Sequence, residues 1–390
     1  MQLSAREYLT QFSNLLQSTL FPVVEDELGP LSEKAKLLIA VLATASPAAH
    51  LPPSRGWHGR PSKDRHALAC AFVAKAVYGF SKTRDVIDRL KADVQLMRLC
   101  GWRCASRIPS EATFSRAFAE FSRTQLPERM HRAVIEKTLR NCLVGHISRD
   151  STAIEARERY PDTPDPLPKK KRYKKGPKAK RSTPRSPGNH IEEQRLMTTE
   201  QILAELPRDC SLGVKKSSKG HLSYWRGYKL HLDVADGDIP VTAVLTAAKL
   251  HDSQAAVAMM NITSRRVTYL YDLMDAAYDA KAIREHSIAL GHKPIIDPVL
   301  RYRTTSEKVP LRKNSRAMKK VVTRTPILRD LDPPKAMRFR QRTSVERVNA
   351  RLKDEFGARL VFYRGAAKIM AHLMFGVLAL AVDQWLNRTG

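Results

Sequence analysis

The sequence predicts an α/β protein, a mixed sheet flanked by helices, with an all-helical region ahead of it. Three observations carry this. Apolar residues recur at helical spacing up to about residue 143, strand-like runs begin at 144, and from about 251 helices alternate with strands. The expected organisation is a helical N-terminal domain over 1–143 and an α/β domain over 144–390, interrupted by an insertion at about 156–220 that is rich in Pro, Lys and Ser.

Residues 1–48 predict two helices, ended by the Pro/Gly/Ser-rich stretch LPPSRGWHGRPS. In the helical block at about 64–143, Leu68, Phe72, Val73 and Ala76 share one face. Ser110 is placed to cap a helix whose Phe114, Phe118 and Phe121 recur at helical spacing. Short helices and loops of this kind fit either a helix-turn-helix type module or a bundle that supports the next domain. Residues 144–155, 224–235 and 241–248 read as strands, the last two joined by the turn Asp236-Gly237-Asp238. A helix over about 251–264, the strand VTYLYDLMD, a helix over 279–290 and the strand KPIIDPV follow. The basic stretch at about 300–334 reads as loop, and helices at about 335–357 and 367–386 end the chain. The most apolar run, 369–382, contains His372 and falls short of the about 20 apolar residues a bilayer requires, so a buried core helix is expected.

Charge narrows the function. The 390 residues carry 68 Lys+Arg against 39 Asp+Glu, a formal net charge of +29. Residues 169–185 hold 10 of these bases and no acid; without them 58 bases still face 39 acids, so basic character runs through the folded part. A polyanion, first of all nucleic acid, is the implied partner. The run KKKRYKKGPKAKR looks like a nuclear-import signal, but a solvated, DNA-tracking loop accounts for it better; Lys169, Lys170, Lys171 and Arg172 are its candidate DNA contacts. At 43% hydrophobic residues the chain buries a sizeable core, which excludes collagen-like, mucin-like and wholly disordered classes. Early charges and the lack of an apolar run at the N-terminus predict no secretory signal. Five cysteines without Cys-x-x-Cys spacing predict free thiols and no structural zinc.

Three acids stand out by position. Asp150 lies in the first strand, Asp275 closes the strand that precedes Ala276-Ala277-Tyr278-Asp279, and Glu346 lies on the helix KAMRFRQRTSVERVNARLKDEFG. Carboxylates at strand ends of one sheet, with a third on a packing helix, can converge on hard divalent cations and so activate a water or 3′-hydroxyl toward a phosphodiester. At about 100° per residue Val345, Val348, Leu352 and Phe356 form the core stripe of that helix, and Phe339, Arg342, Glu346 and Lys353 flank it. Arg342 at i−4 to Glu346 is also an ordinary helix ion pair. Asp272 is a rival for Asp275, but three residues earlier in the same strand it points to the other face. Glu155 competes with Asp150 from the far end of its strand. His231 and His251 read as non-ligands. Tyr224 and Trp225 suit either base stacking or sheet packing.

At these residues the sequence resembles the DDE transposases of bacterial insertion sequences, in the branch whose last catalytic helix carries a Tyr, Arg, Glu, Lys signature. Arg342, Glu346 and Lys353 match the family's spacings of four and seven residues, and Phe339 stands where the family has Tyr, keeping the ring and losing the hydroxyl. Asp275-Ala276-Ala277-Tyr278-Asp279 fits the family's second Asp and its Gly-Tyr-Asp sequence, with Ala for Gly. Asp150 with Thr152 fits the first. Gly227-Tyr228-Lys229 with His231, His251-Asp252, and Pro109 to Phe114 also look like family sequence, so the resemblance covers about 64–386.

The resemblance implies an RNase H-like catalytic fold behind a helical DNA-binding or support domain. It also implies two Mg²⁺ ions, with Mn²⁺ as substitute, held by Asp150, Asp275 and Glu346. The implied activity is DNA hydrolysis followed by strand transfer at transposon ends, with Arg342 and Lys353 on the DNA backbone. Expected partners are duplex DNA at the ends and the target, and a second copy of the chain in the DNA complex; no membrane is expected. The expected location is the bacterial cytoplasm, at the nucleoid when DNA is bound. Two other classes stay open: an end-binding protein or repressor derived from a transposase, and an RNA-binding or RNA-processing protein.

Overall fold

The computed structural model describes residues 5–52, 63–158, 187–216, 221–297, 301–310, 318–327 and 333–388. Helices α1 (Ala5–Leu15), α2 (Phe21–Leu28), α3 (Glu33–Ala45), α4 (Arg65–Val77), α5 (Thr83–Ala92), α6 (Val94–Leu99), α7 (Glu111–Arg123) and α8 (Leu126–Leu139) precede the first strand. A π turn at Leu16–Leu20 joins α1 to α2. The helical spacing of Phe114, Phe118 and Phe121 has a packing purpose. All three rings contact Phe72 of α4, with centroids 4.8–6.1 Å away, and Phe375 from the far end of the chain stacks on it at 6.0 Å. Ser110 occupies the N-cap position of α7, though its hydroxyl meets that of Thr113 rather than a backbone amide.

The sheet follows. Strands β1 (Leu143–Ala156), β2 (Ser211–Lys216), β3 (Leu222–Ala235), β4 (Ile239–Ala247), β5 (Thr268–Met274) and β6 (Lys293–Ile296) are interleaved with α9 (Pro187–Gln194), α10 (Thr199–Glu205), α11 (Ser253–Arg266) and α12 (Lys281–Ala289). The strand order is β4-β3-β1-β5-β6, antiparallel through β3 and parallel through β5 and β6. This is the expected mixed sheet flanked by helices, in the RNase H-like form. β2 pairs only with the first half of β3, beyond the reach of β4. Gly227 has φ +149° and a Cβ there would collide with the Ile154 carbonyl of β1, so the close approach of β3 to β1 requires glycine at this point of Gly227-Tyr228-Lys229.

Two expectations change. The basic stretch read as loop carries β7 (Arg301–Pro310) and β8 (Met318–Ile327), an antiparallel pair separate from the main sheet. Its Thr and Val residues set the backbone, and the interspersed Lys and Arg masked that pattern. Within the described part of the insertion lie α9, α10 and β2; α10 starts at a capping box of Thr198 and Gln201. Lys169, Lys170, Lys171 and Arg172 lie outside the described residues.

The chain ends in α13 (Pro333–Phe339), a 3-10 turn at Arg340–Arg342, α14 (Thr343–Asp354), β9 (Leu360–Val361) beside the end of β1, and α15 (Ala366–Leu386). At 21 residues α15 matches the helix expected over about 367–386; it is long and apolar enough to cross a membrane, but 72% of its apolar window is enclosed by the protein. It is a core helix. One apolar cluster runs without a break from Leu38, Phe72 and Phe118 through α15 to Leu230, Leu232 and the α14 stripe of Val345, Val348, Leu352 and Phe356. The helical region and the sheet therefore share a core, which holds α14 rigidly over one face of β1. All five cysteines are free thiols; Cys70, Cys100 and Cys210 are buried and Cys104 is exposed.

Candidate active site

Side chains alternate across β1, and two neighbours in it do opposite things. Arg149 is fully buried on the face covered by α11 and α12. It grips both oxygens of Asp233 on β3 at 2.7 Å and reaches Asp272 on β5 at 3.3 Å. Hydroxyls complete the network: Thr263 donates to Asp233 at 2.5 Å, and Ser287 and Tyr269 donate to Asp272 at 2.6 and 3.2 Å. Asp272 is thus committed to a buried ion network.

Asp150 projects to the opposite face. The parallel register sets Arg149 beside Met274, which places Asp150 next to Asp275, the first residue beyond β5. Asp150 accepts the Ser151 amide at 2.7 Å, and Asp275 caps a 3-10 turn by accepting the Ala277 amide at 2.9 Å. Burial first, and then the nearby Asp275 carboxylate, push Asp150 up to about 6. Burial also raises Asp275, with Asp252 and Asp297 adding to the effect. Two carboxyls side by side with raised proton affinity form a site that favours added positive charge. Their hard oxygen donors suit a divalent cation.

Arg342 supplies part of that charge. It lowers the proton affinity of both aspartates. At the same time its guanidinium binds Glu346 at 2.7 Å and lies 5.8 Å from the Phe339 ring centre. The Ser148 hydroxyl donates to the Gln341 carbonyl at 3.3 Å, which fastens this turn to β1. Glu346 itself is 52% exposed and directed to Arg342. The strand register brings Asp150 and Asp275 together; among the described residues no group of three His, Cys, Asp or Glu side chains is close enough to hold a metal ion, so Glu346 does not complete a trio with them.

Lys353 lies about 10 Å further along α14 from Glu346 at 1.5 Å per residue. It is half-buried, and burial together with Lys215 and Arg359 lowers its pKa, while Glu155 of β1 opposes that shift. Lys353 therefore faces the far end of β1 rather than the aspartate pair. Glu155 is exposed there.

Asp252, which sequence reasoning noted only as the partner of His251, lies close enough to raise both Asp150 and Asp275. Lys229 donates to it at 2.9 Å. Burial works against its ionised form, but His231, Lys229 and the hydrogen bonds from Lys229 and Ser151 outweigh burial and hold it below the usual carboxylate range. His231 is buried and lowered to about 4, so it is neutral at neutral pH, with Nε2 2.8 Å from the Thr246 hydroxyl. His251 pairs with the Ser253 hydroxyl at 2.8 Å. The signal for Asp252 in the sequence is its place at a helix start a few residues after β4, with Lys229 and His231 on one face of β3.

Residues 146–382 match the model of a family described as transposase DDE domain, and residues 33–120 match one described as transposase domain (DUF772). No curated protein matches the chain.

Proposed function

Because the chain belongs to the transposases with a DDE domain, we propose that it binds the ends of an insertion sequence and carries out metal-dependent DNA cleavage and strand transfer. The observation that carries this reading is the pair Asp150 in β1 and Asp275 directly after the parallel neighbour β5, each raised in proton affinity and near Arg342. Asp150 and Asp275 would hold divalent ions, Mg²⁺ or Mn²⁺, and Glu346 would complete the set after leaving Arg342. A bound divalent ion supplies activation of water or a 3′-hydroxyl and neutralises charge on the phosphodiester.

The chain's own groups have separate tasks. The β1–β5 register fixes the two carboxylates without a mobile loop between them. Arg342 binds the phosphate next to the cut, and its exchange of Glu346 for phosphate frees that carboxylate. Phe339 supports the Arg342 guanidinium by its ring face. Lys353 holds the backbone one step further along the strand, and Lys169, Lys170, Lys171 and Arg172 track DNA without sequence preference. The Arg342, Glu346 and Lys353 spacing supports the branch with the Tyr, Arg, Glu, Lys signature. Two copies of the chain would pair two ends.

The test is divalent-ion-dependent nicking of DNA that carries the element's own ends. Asp275→Asn is expected to lose at least the roughly hundredfold in metal affinity that an outer-sphere partner can cost, and to nick correspondingly less. Equal nicking by wild type and variant rejects the assignment. A second reading, an end-binding protein that does not cut, draws support from the Arg342–Glu346 pair and the missing hydroxyl at Phe339. Tight end binding with no nicking in either Mg²⁺ or Mn²⁺ favours it.

A further inference from the structure

Beyond the catalytic pair, β1 runs on for five residues to Glu155, about 17 Å at 3.3 Å per residue. There a cleft of about 600 Å³ opens between the end of β1, the β2–β3 ribbon and the segment between β9 and α15. Its walls include the aromatic residues Tyr224 and Trp225 and three arginines, Arg157, Arg226 and Arg364. Two acids also line it, but Glu158 is engaged by the Tyr228 hydroxyl and the Gly365 amide, and Glu155 sits near Lys353.

The two aromatics differ. The Trp225 indole is fixed: it donates to the Tyr228 carbonyl at 3.1 Å, and its ring lies so close over Gly213 that a Cβ there would collide with it. Tyr224 is 60% exposed, directly opposite Val214 across the ribbon, with Leu212 and Leu222 also exposed on that face. An exposed aromatic and apolar ribbon face beside three arginines is not ordinary packing. Flat apolar surface interleaved with cations is the chemistry that takes stacked bases and their phosphates. Duplex DNA hides its base faces, so the occupant has to be unpaired.

We infer that this cleft binds unpaired nucleotides of the DNA strand that leaves the Asp150–Asp275 pair, with Tyr224 as the stacking platform and the arginines on the phosphates. Lys353 lies on α14 between Arg342 and the cleft, close to Lys215 of β2. At 3.4 Å per stacked nucleotide, 17 Å corresponds to about five nucleotides. This inference rests on the transposase reading and adds to it a single-strand site away from the metal ligands.

The test uses the full chain and two fluorescent probes at fixed salt, an oligothymidylate of about eight nucleotides and a mixed-sequence duplex, read by anisotropy. Tyr224→Ala is expected to weaken oligothymidylate binding on the order of tenfold, the effect of one lost stacked base. Tyr224→Trp should restore it, and duplex affinity should stay within about twofold. Because Tyr224 is exposed, an unchanged melting temperature in both variants checks that the fold is intact. Equal oligothymidylate affinity for wild type and Tyr224→Ala overturns the inference. So does a wild type that binds only duplex, or a Tyr224→Ala variant whose single effect is to dissociate copies of the chain in sedimentation. Nicking lost by Asp275→Asn reports on the transposase reading alone, so the two can fail separately.

Discussion

Arg149 and Asp150 are neighbours in one strand, and the regions they face are built on opposite principles. On the Arg149 side one guanidinium meets two carboxylates, and three hydroxyls supply the remaining donors, all of it sealed from water. On the Asp150 side two carboxylates stand together with a single guanidinium that is already shared with Glu346. The first region satisfies its hydrogen-bonding groups internally and ties β3, β1 and β5 in register. The second leaves negative charge uncompensated in a fixed position, which is what a cation-binding site requires. The closed network is the rigid base on which the open one can be held unsatisfied.

The largest test of this contrast is to open the closed side. Arg149→Met leaves Asp233 and Asp272 buried without their cation, and breaking a buried pair from one side costs about 3–5 kcal/mol. Urea unfolding measures it. A loss below about 1 kcal/mol would mean that the network does not hold the three strands. The same substitution should also lower nicking, because the register that sets Asp150 beside Asp275 depends on it.

A smaller effect is expected at the border between the regions. Lys229→Met removes the donor to Asp252, and the loss of a charge-assisted hydrogen bond to a mostly buried carboxylate costs about 1.5–3 kcal/mol. The pH dependence has a definite sign. The folded protein holds Asp252 below its usual 3.8, so this stability is present above that value and is lost as pH falls through the lower folded-state value. The gap in stability between wild type and Lys229→Met should therefore be full at pH 7 and shrink below about 3.8. A gap that does not change with pH would point to lost packing instead.

On the open side the sign reverses. Asp275→Asn removes one of two crowded carboxylates whose ionised forms burial disfavours, and is expected to stabilise the metal-free protein slightly at pH 7. Asp150, raised to about 6, contributes stability that is present below its unfolded value of 3.8 and is lost as pH rises through about 6. Thermal melts in a chelator should show wild type losing stability between about pH 4 and 6 and the variant losing less. Added Mg²⁺ should reverse the order of the two. A variant less stable than wild type in chelator would show that Asp275 serves the fold.

The open side was far more legible in the sequence than the closed one. Asp150 and Asp275 stand at strand positions that a pattern of strands and helices already defines, and the α14 stripe of Val345, Val348 and Leu352 fixes where Arg342 and Glu346 lie. The Arg149 network had no such signal. Lys, Arg and Asp are read as surface residues by default, and only three strands in register reveal that Arg149, Asp233 and Asp272 meet. The same reason hid β2, whose partner is a strand eleven residues downstream of its first residue, and the β7–β8 pair, whose basic residues interrupt the β-branched ones. That Glu346 pairs with Arg342 was visible as an i, i+4 spacing. Its distance from the aspartates was not, since that depends on how α14 seats against β1.

The smallest expected effect separates two arginines five residues apart, Arg342 in the turn that leads into α14 and Arg347 within it. Arg342 is 19% exposed and faces the aspartates, whereas Arg347 is 54% exposed and grips Asp238 at the β3–β4 turn with 2.7 and 2.8 Å contacts. The Arg347 contact has the better geometry. Exposed pairs of this kind contribute only about 0.2–1 kcal/mol, and salt screens them. Arg347→Ala should therefore shift the unfolding midpoint slightly at low salt and not at all in about 1 M salt, with nicking unchanged. Arg342→Ala should leave stability nearly untouched and reduce nicking more than DNA binding, because its contacts are to the acids of the site. If Arg347→Ala were the variant that lost nicking, the working surface of α14 would be its β3–β4 edge, and Asp150 and Asp275 would not be the groups that α14 serves.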